Sequence, residues 1–219
     1  MTIVLLHSPL LSPDGTWGSL PSLLPDACVV VRVEDDLRRP YARRYVHQAA
    51  GQVAGGPLVL IAHSGSGPLL PGVIAALSHR GIDVEGAVFL DAGMPAPGLS
   101  RLESIARDSS EMAAELEALL AAGGSYPDWT EEQLADLVPD PVAVLAAVRP
   151  RREDFWREPL PSVPLPSAVR AAYVQLSAAY EASAVSARDL GWPVASADLG
   201  HLAMLGAPHE VARLIHQVL

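Results

Sequence analysis

Six short, almost wholly apolar runs punctuate the chain, at residues 2–7, 28–33, 58–62, 87–90, 171–176 and 193–197. Runs this brief and this free of polar positions suit strands buried on both faces. Helical patterns lie between several of them, at 41–53, 67–80 and 209–219. Strand alternating with helix predicts an α/β fold: a mostly parallel sheet of about six strands covered by helices. Aromatic residues make up only 5% of the chain, so Val, Leu, Ile and Ala must fill the core.

One stretch breaks this rhythm. Residues 95–166 contain no convincing strand. They hold a Glu/Ala/Leu-rich helical pattern at 102–122, a break at Gly123 and Gly124, and a stretch at 129–137. The Pro-rich run 158–166 then reads as an extended connector. The expected organisation is a single domain, 1–219, with a core formed by 1–94 and 167–219 and a helical cap at about 95–166. A length of 219 residues fits one such domain.

Charge narrows the partners. The net charge is −10, and all fifteen basic residues are Arg. An acidic chain argues against nucleic acid and against anionic membrane surfaces. Without Lys there is no Schiff-base chemistry. Cys28 is the only cysteine, which leaves no disulfide within the chain and no thiolate metal cluster. No metal-ligand pattern or phosphate loop is seen, and no cofactor is expected. The acidic run Glu34-Asp35-Asp36 reads as a solvated turn. Met1 leads directly into an apolar strand pattern without a basic leader region, and no stretch is long enough to span a bilayer. The expectation is a cytoplasmic protein with a small-molecule substrate; a homodimer is allowed, and the sequence does not fix the oligomeric state.

Chemistry is concentrated at two places. Ile61-Ala-His-Ser64-Gly65-Ser-Gly67 follows a strand and precedes a helix. A serine on a sharp strand-to-helix turn, flanked by small residues, has the pattern of an activated nucleophile. Ala62 stands where the first glycine of that pattern would be. The adjacent Gly65 brings an N–H toward a developing oxyanion, and the helix N-terminus adds positive potential. The second place is Asp198-Leu-Gly-His201-Leu-Ala-Met-Leu205, between the last strand and the last helix, where His201 is placed as the base.

Four segments carry a family resemblance: V-L-L-H-S-P with Trp17 beyond it, L-I-A-H-S-G-S-G, V-F-L-D-A-G-M-P, and G-H-L-A-M-L-G-A-P-H-E-V. The chain resembles the α/β-hydrolase superfamily, and within it the compact branch of plant methylesterases and hydroxynitrile lyases. The resemblance covers nearly the whole chain apart from the cap. It implies that Ser64 is the nucleophile and His201 the base.

Three positions depart from that pattern. The second oxyanion donor is implied two residues beyond His7, but Pro9 stands there and has no N–H. The Leu10 N–H or Ser8 must then substitute. The acid is implied after the strand at 171–176, where Ala179 holds the matching position. Glu181 is the favoured replacement, Asp91 at the end of the preceding strand is the fallback, and an acid-free site is the third option. Ser8 occupies a position that is Thr in the lyases, yet Leu202 replaces the Lys that follows their catalytic His, which argues against cyanohydrin cleavage.

The expected function is hydrolysis of a small, largely apolar ester or lactone by a Ser-His-acid triad. Gly65, Leu10 and Ser8 would serve the oxyanion, and Trp129, with Phe155 and Trp156, would shape the pocket. Two alternatives stand beside it. One is a non-hydrolytic biosynthetic enzyme (lyase, cyclase or decarboxylase) using the same pocket. The other is a catalytically silent binder of small molecules.

Overall fold

A computed structural model describes residues 1–34 and 37–219. Asp35 and Asp36, placed by the sequence in a solvated turn, lie outside the described residues. Strand β1 (Thr2–Leu6) is followed by α1 (Pro13–Trp17), β2 (Ala27–Val30), α2 (Tyr41–Gly51), β3 (Leu58–Ser64), α3 (Leu70–Ser78) and β4 (Val84–Ala92). Five helices come next: α4 (Arg101–Asp108), α5 (Ser110–Ala121), α6 (Glu131–Leu134), α7 (Pro141–Ala147) and α8 (Glu153–Trp156). The chain then returns through β5 (Arg170–Gln175), α9 (Glu181–Asp189), β6 (Val194–Ser196), α10 (Ala203–Gly206) and α11 (Pro208–Val218).

The six strands form one sheet in the order β2-β1-β3-β4-β5-β6, and every neighbouring pair is parallel. Alternate residues of each strand face opposite sides. Val4, Leu6, Leu60, Ala62, Phe89 and Tyr173 join one apolar slab, packed with residues of α2, α3 and α9. Ile3, Leu5, Ile61, Val88, Leu90 and Val174 join the other, with residues of α11 and Trp17 of α1. Every residue of β3 is buried, which explains why its sequence lacks an apolar–polar alternation.

This strand order places the functional end. The chain steps from β1 outward to β2, then crosses back to β3 on the other side of β1. The carboxyl ends of β1 and β3 therefore open a crevice at a topological switch point, the usual ligand position in open α/β sheets.

Several elements differ from the sequence reading. The expected helix at 102–122 is two helices. Ser109, with φ −152° and ψ 105°, leaves the helical region and caps the second helix by accepting the Met112 N–H. Residues 181–189, which carried no helix in that reading, form α9. The strand expected at 87–90 extends to Ala92, so Asp91 lies within β4 rather than beyond it.

The loop after β1 is a tight turn. The Leu11 N–H donates to the Ser8 carbonyl at 3.2 Å, with Pro9 at the second position, where its fixed φ is favoured. His7 shapes this turn. Its Nε2 accepts the Val33 N–H at 3.2 Å, so Nδ1 carries the proton toward the Leu11 carbonyl, 2.7 Å away. The segment between α7 and α8 holds the same turn from the other side. The Arg149 N–H donates to the Leu10 carbonyl at 2.8 Å, and the Arg151 guanidinium donates to the Pro9 carbonyl at 3.2 and 3.1 Å.

Candidate active site

Ser64 ends β3 with φ +58°, a conformation that non-glycine residues seldom adopt. Its neighbours make the turn feasible. Ser66 Oγ lies 2.8 Å from both the Leu6 and the His63 carbonyls, which ties the turn to β1. A Cβ on Gly67 would overlap the Gly93 carbonyl oxygen and come within 2.9 Å of Ala92 Cβ, so only glycine fits there. The strain at Ser64 is thus held by contacts on both neighbouring strands, as is common at functional sites.

The loop after β6 carries His201 to this turn. His201 Nε2 lies 3.1 Å from Ser64 Oγ, and Nδ1 lies 2.8 Å from Asp91 Oδ2. Asp91 is fully buried and has φ +41°. Its Oδ1 accepts the Leu176 and Ser177 N–H groups at 2.8 and 3.0 Å, and its Oδ2 also accepts the Ser177 hydroxyl at 2.7 Å. Burial pushes the Asp91 carboxyl upward. Hydrogen bonds from His201, Ser177 and Leu176 outweigh it and hold the group below its ordinary value. An ionised Asp91 keeps the His201 proton on Nδ1 and leaves the Nε2 lone pair for Ser64.

Glu181 is placed elsewhere, and the sequence expectation for it is corrected. As the first residue of α9, it directs its carboxylate to Gln175 Nε2 at 2.6 Å and Arg188 Nη1 at 3.2 Å, away from His201. The sequence does hold a signal for Asp91: Asp-Ala-Gly closes a buried strand beside the one that ends in Ser64.

His201 is sandwiched between two rings. His63 lies 4.5 Å away between centroids, and Tyr180 lies 5.1 Å away on a nearly parallel plane. His63 Nε2–H donates to the His201 carbonyl at 3.0 Å, which fixes the loop. Burial, reinforced by the nearby His201, lowers the His63 pKa to about 3, so His63 stays neutral. Tyr180, which the sequence reading did not single out, reaches Ser64 Oγ with its hydroxyl at 3.2 Å. Ser64 has one proton, directed to His201, so the Tyr180 O–H donates to a Ser64 lone pair. Burial raises the Tyr180 pKa and keeps this donor protonated.

The geometry of Ser64, His201 and Asp91 at the carboxyl edge of a parallel sheet invites comparison with known proteins. No family model and no curated protein matches the chain. Solved structures do. An extracellular α/β-hydrolase from a Paenibacillus species, described as sharing structural and functional homology with tobacco salicylic acid binding protein 2, superposes with a TM-score of 0.75 at 17% identity, over 100% of this chain and 98% of that one. Polyneuridine aldehyde esterase gives 0.68 at 17% identity, over 98% of both chains. Tomato methylketone synthase I gives 0.70 at 16%, over 99% and 96%. The chain has the α/β-hydrolase fold.

The α/β-hydrolase fold presents a cavity of about 160 Å³ above Ser64. Ser64, Gly65, Pro9, Leu10 and Tyr180 line its inner end, and Arg101, Met112, Phe155 and Trp156 line the side contributed by the insertion. Trp129 does not line it. That side chain packs with Leu11, Leu134, Val138 and Val144 in a separate apolar cluster, which corrects the expectation that it shapes the pocket.

The donors near Ser64 follow from the turn after β1. The Gly65 N–H has no acceptor among the described residues. The Leu10 N–H donates to Ser8 Oγ at 3.2 Å, because the Pro9 carbonyl on the same peptide is held by Arg151 on the opposite side. Ser8 Oγ borders Gly65: a Cβ built there would lie 3.3 Å from it. The Ser8 hydroxyl proton has no acceptor among the described residues and stands beside the Gly65 amide. Among the described residues no three His, Cys, Asp or Glu side chains are grouped to hold a metal, and no helix is long and apolar enough to cross a membrane.

Proposed function

We propose that the chain is a serine hydrolase acting on an ester or lactone of a small, largely apolar molecule. The observation that carries this reading is the continuous hydrogen-bonded chain from Asp91 through His201 to Ser64, opening onto a cavity. His201 Nε2 takes the Ser64 proton as Ser64 Oγ bonds to the substrate carbonyl carbon, and the carbonyl π electrons move onto oxygen. The Gly65 N–H and the Ser8 hydroxyl hold that oxyanion, and the Leu10 N–H polarises Ser8. His201 then protonates the leaving alcohol as its bond to carbon breaks. A water enters, gives a proton to His201, and attacks the acyl-serine. Collapse of the second tetrahedral species, with the proton returned to Ser64, releases the acid. The cavity volume of about 160 Å³ suits a small molecule.

Covalent labelling by a fluorophosphonate probe, together with hydrolysis of p-nitrophenyl butyrate, tests the proposal. The native protein should label and turn over, and Ser64→Ala should do neither. Undiminished hydrolysis by Ser64→Ala would remove Ser64 as nucleophile.

Two observations favour a second reading. The Tyr180 hydroxyl occupies a Ser64 lone pair, and Pro9 removes one backbone donor. Both suit a site that moves protons without forming an acyl-enzyme, in which His201 is the base and Ser8, Ser64 and Tyr180 bind. Methylketone synthase, with the same fold, carries a name that is not that of a hydrolase. Under this reading the native protein resists labelling while His201 remains essential.

A further inference from the structure

Arg101 opens α4 and forms part of the cavity wall, with only 6% of its surface exposed. Its Nε and Nη1 groups are buried and have no hydrogen-bond partner. Burying a guanidinium without acceptors is costly, and native structures seldom leave such groups unmatched. The Phe155 ring lies 4.1 Å below the guanidinium and offers a cation–π contact, but a ring face accepts no directed N–H bond from the edge.

The surrounding charges do not resolve the mismatch. Glu158 acts on Arg101 only through space, and its two oxygens accept the Tyr41 and Ala42 N–H groups at 2.9 and 2.8 Å. Asp108, the acid that lines the cavity, is engaged by Arg107 at 3.2 Å. Arg151 adds positive charge on the same side, 5.8 Å from the Phe155 ring. Burial lowers the Arg101 pKa to about 10, so the side chain is still a cation at neutral pH. The cavity thus has Ser64 at one end and, in a wall that also holds Ser104, Ser109 and Asp108, a guanidinium whose Nε and Nη1 have no hydrogen-bond partner.

We propose that Arg101 is a recognition residue for a carboxylate carried by the substrate, so that the molecule accepted has a reactive carbonyl facing Ser64 and a free carboxylate facing the insertion. This rests on the cavity being the site of the proposed hydrolysis and narrows the substrate class from apolar esters to acid-bearing ones. A single guanidinium suits a carboxylate monoanion, to which its hydrogen bonds are charge-assisted.

Calorimetric binding of pentanoate, pentanamide and propyl phosphate to the Ser64→Ala protein tests this without requiring turnover. Pentanoate should bind at least about tenfold more tightly than pentanamide, the loss of one charge-assisted contact being worth that much or more. Arg101→Gln should abolish the preference and Arg101→Lys should retain part of it. The native protein supplies the same comparison by competition against p-nitrophenyl butyrate, so the test survives a variant that does not fold. Equal binding of acid and amide, or an acid preference that persists in Arg101→Gln, overturns the proposal. Tighter binding of propyl phosphate than of pentanoate overturns the carboxylate assignment. An acid preference in a protein that hydrolyses no ester sinks the hydrolase reading alone, whereas hydrolysis of neutral esters without an acid preference sinks this proposal alone.

Discussion

The Tyr180 ring lies flat over the His201 imidazole, with 5.1 Å between centroids and 14° between planes, while its hydroxyl meets Ser64 at 3.2 Å. One side chain thus supports the proposed base and restrains the proposed nucleophile. Tyr180→Phe keeps the stacking surface and frees the Ser64 lone pair. Fluorophosphonate labelling should become faster by up to about tenfold, matching one net hydrogen bond of about 0.5–1.5 kcal/mol. Tyr180→Ala removes the stack and should label more slowly than the native protein. Slower labelling of the Phe variant would show that the hydroxyl assists the attack instead.

The two candidate acids separate by mutation. Asp91→Asn keeps the shape of a side chain that accepts the Leu176 and Ser177 amides but favours the wrong tautomer of His201. Its kcat for p-nitrophenyl butyrate should fall by roughly 10⁴. Glu181→Gln alters an exposed helix end and should change kcat by no more than about twofold. Comparable losses in both variants would exclude Asp91 as the sole orienting acid.

Ser8 replaces the missing donor of Pro9 in the proposed mechanism. Ser8→Ala should lower kcat by about 10²–10³ with little change in KM, the usual cost of one oxyanion donor. A loss under tenfold would mean that the Leu10 N–H, released from Ser8 Oγ, holds the oxyanion itself.

His63 makes folding stability depend on pH in a definite direction. Its native pKa is lowered from 6.5 to about 3, so the unfolded chain binds more protons between those values. The contribution is complete above pH 6.5 and declines as pH falls toward 3, by up to about 1.4 kcal/mol per pH unit. Asp91 has its own effect only as pH falls through values below 3.8. Urea unfolding between pH 4 and 6, compared between the native protein and a His63 variant, reads this contribution as a difference. His63→Gln, whose amide still donates to the His201 carbonyl, should flatten the profile in that window.

The sheet was legible because its strands are buried on both faces: β1 and β3 read as unbroken apolar runs, and no other element type of that length suits them. Ser64 and His201 were legible because strand–turn–helix punctuation and chain order constrain where they can meet, and the structure brings them within 3.1 Å. The carboxylate was harder to find. Glu181 is attractive from its position after β5, but the Tyr180–Glu181 junction starts a helix, which turns the carboxylate toward Arg188. Asp91 sits inside a strand at positive φ, a conformation that an apolar run does not announce. Arg101 gave no signal at all. A charged residue behind the Ser100 helix cap reads as a surface group, and only the fold of α4 against α8 encloses it.

The hydrogen bonds from Arg149 and Arg151 to the turn after β1 tie the segment between β4 and β5 to the rest of the chain. The segment that bounds the substrate also pins the carbonyls of Leu10 and Pro9, and through them the direction of the Leu10 amide. Such an insertion is not an interchangeable module. Grafting a relative's helices between β4 and β5 would recut the cavity and, in the same stroke, release the turn beside Ser64. Diversification of this chain is therefore confined to point changes on the cavity side of α4, α5 and α8, where the wall can be recut while the arginine clasp stays intact.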